Sequence, residues 1–209
     1  MNPPSKLLLA TNNPGKIQEL AALLRGAPFV VTTPQAEGIA LDVEETGATF
    51  EDNAALKARA FAQASSLCAL ADDSGLEVDA LGGEPGVISA RYAGPDATDE
   101  DRVRYLLSKL EDIEWDKRRA RFRSVVALAD PEGGVRLFEG VCEGVIAFEP
   151  HGAKGFGYDP IFYIPTLGRH MAELDMDEKN SVSHRGMAAR MALDYLKAEA
   201  ERERATKEA

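Results

Sequence analysis

The order of apolar and polar positions divides the chain into short apolar runs and longer stretches whose apolar residues recur every three to four positions. The first kind predicts buried strands, the second amphipathic helices. Leu7, Leu8, Leu9 and Ala10 form a strand that ends in a polar loop over residues 11–16, after which Ile17, Leu20, Ala21 and Leu24 repeat at helical spacing until Gly26. Residues 29–32 predict a second strand, followed by a polar connection that carries Asp42, Glu44 and Glu45. Thr49 is placed to cap a second helix with Asp52, three residues on, as its capping-box partner. Phe50, Ala54, Ala58 and Phe61 make that helix's buried stripe, while Asn53 and Lys57 share a different face.

The apolar run at residues 67–71 has the length of a buried strand and stops at Asp72-Asp73-Ser74-Gly75, where Gly75 is expected to turn the chain sharply. Alternation resumes at residues 76–81 and breaks at a glycine-rich loop over 82–86. Thr98 opens a further helix with Val103, Leu106, Leu107 and Leu110 on its buried face, a helix that reads as structural. Strands are expected at 121–128, 135–141 and 145–148, the first two joined by a Pro-Glu-Gly-Gly turn, which makes this block antiparallel. Residues 154–160 hold two glycines and a proline and cannot be regular structure; residues 175–180 read as polar loop. A last helix follows residues 181–186 with Met187, Met191 and Tyr195 along one side, and from Glu199 on it is a charged, solvated tail with Glu199–Arg202 and Glu203–Lys207 placed for surface pairs. Strand-helix units combined with antiparallel strands predict an α/β fold. Its twisted mixed sheet is flanked by helices and split into two lobes, with the active site in the cleft and residues 1–209 forming one domain.

Composition narrows the functional classes. At 209 residues and 44% apolar content the chain has enough material for a packed core. Its 24 basic and 35 acidic residues give a net charge of −11, which argues against nucleic acid and anionic membrane surfaces as partners. Cys68 and Cys142 each lie in an apolar segment, so buried thiols in a reducing compartment, by default the cytoplasm, are expected. No apolar run approaches the ~18 residues of a transmembrane helix. His151, His170 and His184 have neither the spacing nor the cysteine partners of a zinc site, and no triad is indicated.

Several modest signals complement one another. The strand-loop-helix junction at residues 11–16 points backbone N–H groups and a helix N-terminus at one spot, where Lys16 adds a charge; it does not fit the Walker spacing. Asp72 and Asp73 at a strand's end read either as an Asp-rich turn or as an anchored pair of carboxylates. The loop around Phe156 and Tyr158 offers rings for stacking on a flat base or for covering the core. His184 and Arg185 place cations at a helix N-terminus, against the dipole, which points to a reason other than helix stability. Carboxylates at Glu44, Glu45, Asp72 and Asp73 with cations at Lys16, Lys57, Lys179 and Arg185 describe a nucleotide site, and hard oxygen ligands of this kind favour Mg²⁺.

The runs Ala-Thr-Asn-Asn-Pro-Gly-Lys (10–16), Thr-Phe-Glu-Asp-Asn-Ala (49–54), Ala-Asp-Asp-Ser-Gly-Leu (71–76), Gly-Phe-Gly-Tyr-Asp-Pro (155–160) and Ser-His-Arg-Gly (183–186) resemble, in order, the motif set of the inosine triphosphate pyrophosphatase family. Asn12 stands where many relatives have Gly or His. The resemblance implies hydrolysis of non-standard purine nucleoside triphosphates (ITP, dITP, XTP) to monophosphate and pyrophosphate by a cytoplasmic homodimer. It implies that Thr11, Asn12, Asn13, Pro14, Gly15, Lys16 and Lys57 hold the triphosphate. Glu44, or its neighbour Glu45, and Asp73 would bind Mg²⁺, with Asp73 as proton acceptor and Ser74 touching substrate beside it. Phe156 would stack on the base, with Gly157, Tyr158 and Asp159 completing that wall, and Lys179, His184 and Arg185 would read the purine O6. Two rivals are a pyrophosphatase for modified pyrimidine or other nucleotides, as in the related septum-inhibitor proteins, and a nucleotide-sensing module without chemistry.

Overall fold

The structure is a computed structural model that describes residues 5–207, the side chains of residues 203 and 207 excepted. The expected Glu203–Lys207 pair therefore lies outside the described side chains, whereas Arg202 does pair with Glu199. The strands are β1 (Lys6–Leu9), β2 (Val30–Thr32), β3 (Cys68–Val78), β4 (Arg119–Ala129), β5 (Val135–Ile146), β6 (Phe162–Ile164) and β7 (Arg169–His170). They form one open sheet in the order β2-β1-β3-β4-β5-β6-β7. β1 is parallel to β2 and to β3, whereas β6 is antiparallel to β5 and to β7. The longer helices are α1 (Pro14–Leu23), α2 (Phe50–Ser65), α3 (Asp99–Lys109), α4 (Met176–Val182) and α5 (His184–Lys207). The fold is α/β with a mixed sheet, as the sequence predicts.

The chain divides into two compact units: one of residues up to Asp73, 124–140 and from Arg185 on, the other of Ser74–Arg123 and Val141–His184. In the first, Leu7 and Leu9 of β1 and Leu20 of α1 pack with Leu70, Leu128 and Leu196, all buried. Each such leucine contributes ~1.5–3 kcal/mol on leaving water. The second has its own core, in which Leu76, Leu106, Phe122, Ile146, Tyr158 and Phe162 meet.

The structure departs from the sequence reading in several elements. Helix α1 starts at Pro14 rather than at Ile17, because Asn13 caps it and Pro14 takes the first position, where a missing N–H costs nothing. Strand β3 does not break at Asp72-Asp73-Ser74-Gly75; it continues past the end of β1 to Val78, since its pairing with β4 outweighs the local turn preference of Gly75. Residues 145–148 are not a separate strand. β5 runs on to Ile146, and its Gly144 marks a close approach, where a Cβ would lie 2.5 Å from Cζ of Phe162 on β6. Residues 175–180 are mostly the short helix α4, opened by a capping box between Asp175 and Glu178. The last helix forms as expected, as α5; Met187 and Met191 on the side named in the sequence are exposed, and the small-residue face with Ala188, Ala189 and Ala192 is buried.

Candidate active site

In a strand, successive side chains leave on opposite sides, so Asp72 and Asp73 are separated by the backbone although adjacent in sequence. Asp72 is buried among partners. Its Oδ2 receives Lys16 Nζ at 2.7 Å and the Arg185 guanidinium at 3.2 Å, and its Oδ1 accepts from the Ser124 hydroxyl. Arg185 also meets Glu19 of α1, and both side chains are buried. Burial works against the Asp72 charge, yet Arg185 and Lys16 outweigh it and hold the carboxyl well below its ordinary pKa. Arg185 is affected the opposite way. Burial opposes its charge, but Asp72 and Glu19 raise its pKa above the ordinary guanidinium value.

Asp73 has a different environment. Its Oδ1 receives Lys57 Nζ at 2.9 Å, and Lys57 also donates to Glu45 at 2.6 Å and to the Asp72 carbonyl at 3.0 Å. Asp73 Oδ2 is buried and has no hydrogen-bond partner among the described residues. Burial, reinforced by Glu45 and opposed by Lys57, raises the Asp73 pKa above the ordinary carboxyl value. Burial likewise opposes the Lys57 charge, but Asp73 and Glu45 leave its pKa raised, while Lys16, where burial dominates, has a lowered one. Both ammonium groups converge on one atom, the Asp72 carbonyl oxygen, at 3.2 Å from Lys16 and 3.0 Å from Lys57. Two cations focused on one point, beside a capped helix N-terminus, can bind a polyphosphate.

This cluster also fits a hard divalent cation. It sets four carboxylates (Glu19, Glu45, Asp72, Asp73) against three cations (Lys16, Lys57, Arg185). The orphaned Asp73 Oδ2 is an oxygen donor of the kind such an ion takes. No group of three or more His, Cys, Asp or Glu able to hold a metal occurs among the described residues. Mg²⁺ does not require one, since it uses one or two carboxylates and keeps its waters for substrate phosphates.

The second unit carries a cluster of its own. Lys179 of α4 is buried against Asp159, and its Nζ lies 4.8 Å from the centre of the Phe156 ring. Asp159 also accepts from the Phe156 N–H at 3.0 Å. Gly155 has φ +76°, and a Cβ there would collide with the Asp159 carboxylate, so glycine is required. His184 is buried and stacks on Phe122, centroids 4.8 Å apart and planes at 12°. A half-buried phenyl ring beside a fixed ammonium suits a flat base with a carbonyl edge.

A model of the Ham1 family matches residues 7–195. The chain belongs to the Ham1 family. A protein of Desulforamulus reducens named dITP/XTP pyrophosphatase is 53% identical over 192 residues, covering 91% of this chain and 95% of that protein. One of the same name from Yersinia pseudotuberculosis is 52% identical over 194 residues, covering 92% and 98%. Among solved structures, a HAM1 protein from Coxiella burnetii matches with a TM-score of 0.84 at 44% identity, covering 92% of this chain and 98% of that one. The family resemblance read from five short motifs is thus carried by nearly the whole chain.

Within this Ham1 fold the residues singled out in the sequence fall into distinct settings. Thr11, Asn12 and Asn13 lie on the exposed approach to α1: Thr11 Oγ1 accepts from the Asn13 N–H at 3.1 Å, Asn12 Nδ2 donates to the Leu41 carbonyl at 3.1 Å, and Asn13 Oδ1 accepts from the Lys16 N–H at 3.0 Å. Pro14 and Gly15 form the helix's first turn. Ser74 follows Asp73, half-buried on β3. Of the two neighbouring glutamates, Glu45 reaches Lys57, while Glu44 is exposed. Tyr158 is a core residue whose hydroxyl donates to the Ser89 carbonyl at 2.9 Å, so its ring takes the covering role rather than the stacking one. The Arg185 guanidinium is committed to Asp72 and Glu19. Sequence reasoning missed Glu19 and Ser124. Both left a trace: Glu19 is three residues after Lys16 on the same helix face, and Ser124 is a lone hydroxyl inside an apolar strand.

Proposed function

We infer that this chain hydrolyses non-standard purine nucleoside triphosphates (ITP, dITP, XTP) between the α- and β-phosphates, releasing the monophosphate and pyrophosphate. The observation that carries the reading is the convergence of Lys16 and Lys57 beside an Asp73 whose buried Oδ2 lacks a hydrogen-bond partner among the described residues. Lys16, Lys57 and the loop from Thr11 to Gly15 bind the phosphates, and the ammonium groups stabilise charge on the departing pyrophosphate. Asp73 accepts the proton of the water that attacks the α-phosphorus as the bond to the bridging oxygen breaks. Its pKa is raised by burial while no metal is bound, and a bound cation would lower it. Asp73 and Glu45 would hold Mg²⁺, which when bound would neutralise phosphate charge and acidify water. Glu45 is preferred to Glu44 because it shares Lys57 with Asp73. Ser74 touches substrate beside Asp73. Phe156 stacks on the base, Gly157 and Asp159 shape that wall, and Lys179 and His184 read the O6 edge. Arg185 acts as the counter-charge that fixes Asp72.

The resemblance supports a homodimer, a single domain over residues 1–209 and a cytoplasmic location. No helix among the described residues is long and apolar enough to cross a membrane. A panel of inosine, xanthosine and 5-methyl-uridine triphosphates, with product analysis, tests the reading. Pyrophosphate released from the first two with Mg²⁺, and none with chelator, supports it. Preference for the pyrimidine, or tight binding with no product, would assign the chain to one of the rivals.

A further inference from the structure

We propose that Asp99, on helix α3, is a positioning residue for the base-binding loop, a role that rests on the reading of Phe156 as the base platform. Helix α3 satisfies its own N-terminus without Asp99, through the capping box between Thr98 and Asp101. The Asp99 carboxylate serves another segment. Its Oδ2 accepts from the Gly157 N–H at 2.6 Å, across 58 residues of sequence, while Oδ1 is held by Arg102. Arg102 is fixed in turn, donating to the Ala90 carbonyl at 3.0 Å and to the Ala97 carbonyl at 2.5 Å.

Three consecutive residues of the loop are thereby pinned in three ways. The Phe156 amide is held by Asp159, the Gly157 amide by Asp99 and the Tyr158 hydroxyl by the Ser89 carbonyl. Only the Gly157 anchor is a charged group from a separate helix, and charge-assisted bonds of this kind are the stronger ones. Behind it the loop has room to move. A recess of about 390 Å³, lined by Asp99, Val103, Leu107, Pro150, Gly157 and Pro160, lies on this face of α3, so packing does not hold Gly157 in place. Gly157 has φ +63°, and nothing lies within 4 Å of where its Cβ would be. Without the Asp99 oxygen the Gly157 peptide can relax into the recess and carry the Phe156 ring out of register with the base.

The test compares Asp99→Ala with Asp99→Asn, which keeps an acceptor oxygen. With dITP as substrate, Asp99→Ala is expected to raise KM about tenfold with kcat within twofold, and Asp99→Asn to recover most of the loss. The dITP preference over dATP should narrow in the alanine variant only. Hydrogen exchange of the Gly157 amide, followed by NMR without nucleotide, gives a readout independent of activity: protected in the native protein and in Asp99→Asn, fast in Asp99→Ala. An unchanged KM in folded Asp99→Ala, or an asparagine variant as impaired as the alanine one, overturns the proposal. Should Asp99→Ala fail to fold, exchange in the native protein decides: a Gly157 amide exchanging at the rate of an exposed one overturns it, a protected one supports it. Absence of dITP hydrolysis by the native protein would count against the proposed function, while the exchange experiment still decides the contact.

Discussion

Lys57–Asp73 in the first unit and Lys179–Asp159 in the second are built from the same two residue types, both in places that exclude most water. Asp159 spends its Oδ2 on Lys179 and on the Phe156 amide, so that the pair sets the direction of a ring. Asp73 spends one oxygen on a lysine that it shares with Glu45 and keeps the other buried without a hydrogen-bond partner among the described residues. Leaving a buried carboxylate oxygen unmatched costs on the order of 1–3 kcal/mol, a cost that substrate or metal binding can offset. One contact therefore shapes a surface, and the other keeps capacity for a reaction.

The largest expected effect tests the second half of that contrast. Asp73→Asn should bind nucleotide with an affinity within a few-fold of the native protein and lose turnover by about a hundred- to ten-thousand-fold, as expected for removal of a proton acceptor. Steady-state kinetics beside equilibrium binding of a non-hydrolysable analogue checks this; near-normal turnover would sink the assignment of Asp73. Next in size is Asp72→Asn. It leaves Lys16 and Arg185 buried with too little negative charge, at a cost of about 3–5 kcal/mol in unfolding free energy measured with urea. A variant as stable as the native chain would mean that Glu19 and Ser124 suffice to hold this cluster.

Much of this contrast was not legible in the sequence. Phase and spacing located β1, α1, α2 and α3, because a continuous apolar stripe has few ways to be buried. They failed at Gly75 and Gly144, where a glycine marks a continuing strand rather than a turn, and only the neighbouring strands decide between the two. They failed again at α4, whose seven residues, about two turns, have too few apolar positions to show a period. Site residues were visible as types, but their pairings were not. Nothing local tells that Arg185 meets Glu19, 166 residues away, or that Asp99 meets Gly157. Alternation along β3, by contrast, does separate Asp72 from Asp73 once the strand is known to continue, so the division of labour between them follows from one corrected boundary.

A smaller effect probes the shaped surface. Phe156→Ala removes the ring beneath Lys179 and should weaken binding of the nucleotide by about 1–3 kcal/mol, seen mainly in KM, with the pyrophosphate-binding half unaffected. Inhibition by free pyrophosphate is the control. If it weakens in parallel, the ring supports the whole site rather than the base.

The smallest effect is the stability change at Asp73, and against pH the two neighbouring carboxylates should differ in sign. Asp72 has a lowered folded pKa, because Arg185 and Lys16 outweigh the penalty of burial. Its contribution is full at every pH above the unfolded carboxyl value of ~3.9 and is lost only as pH falls below that toward the folded value. Asp73 has a raised folded pKa, from burial and Glu45 against Lys57. Its contribution is full below the unfolded value and is lost as pH rises through the folded one. Replacing Asp73 with Asn removes that loss. In chelator-containing buffer Asp73→Asn should therefore match or exceed the native protein in urea midpoint at pH 7 and converge with it near pH 3. Asp72→Asn should fall short of the native protein at pH 7 by a gap that closes only below about pH 4. A marked loss of stability in Asp73→Asn at neutral pH would mean that Asp73 serves Lys57 as a structural counter-ion, and the two lysine–aspartate contacts would then be alike after all.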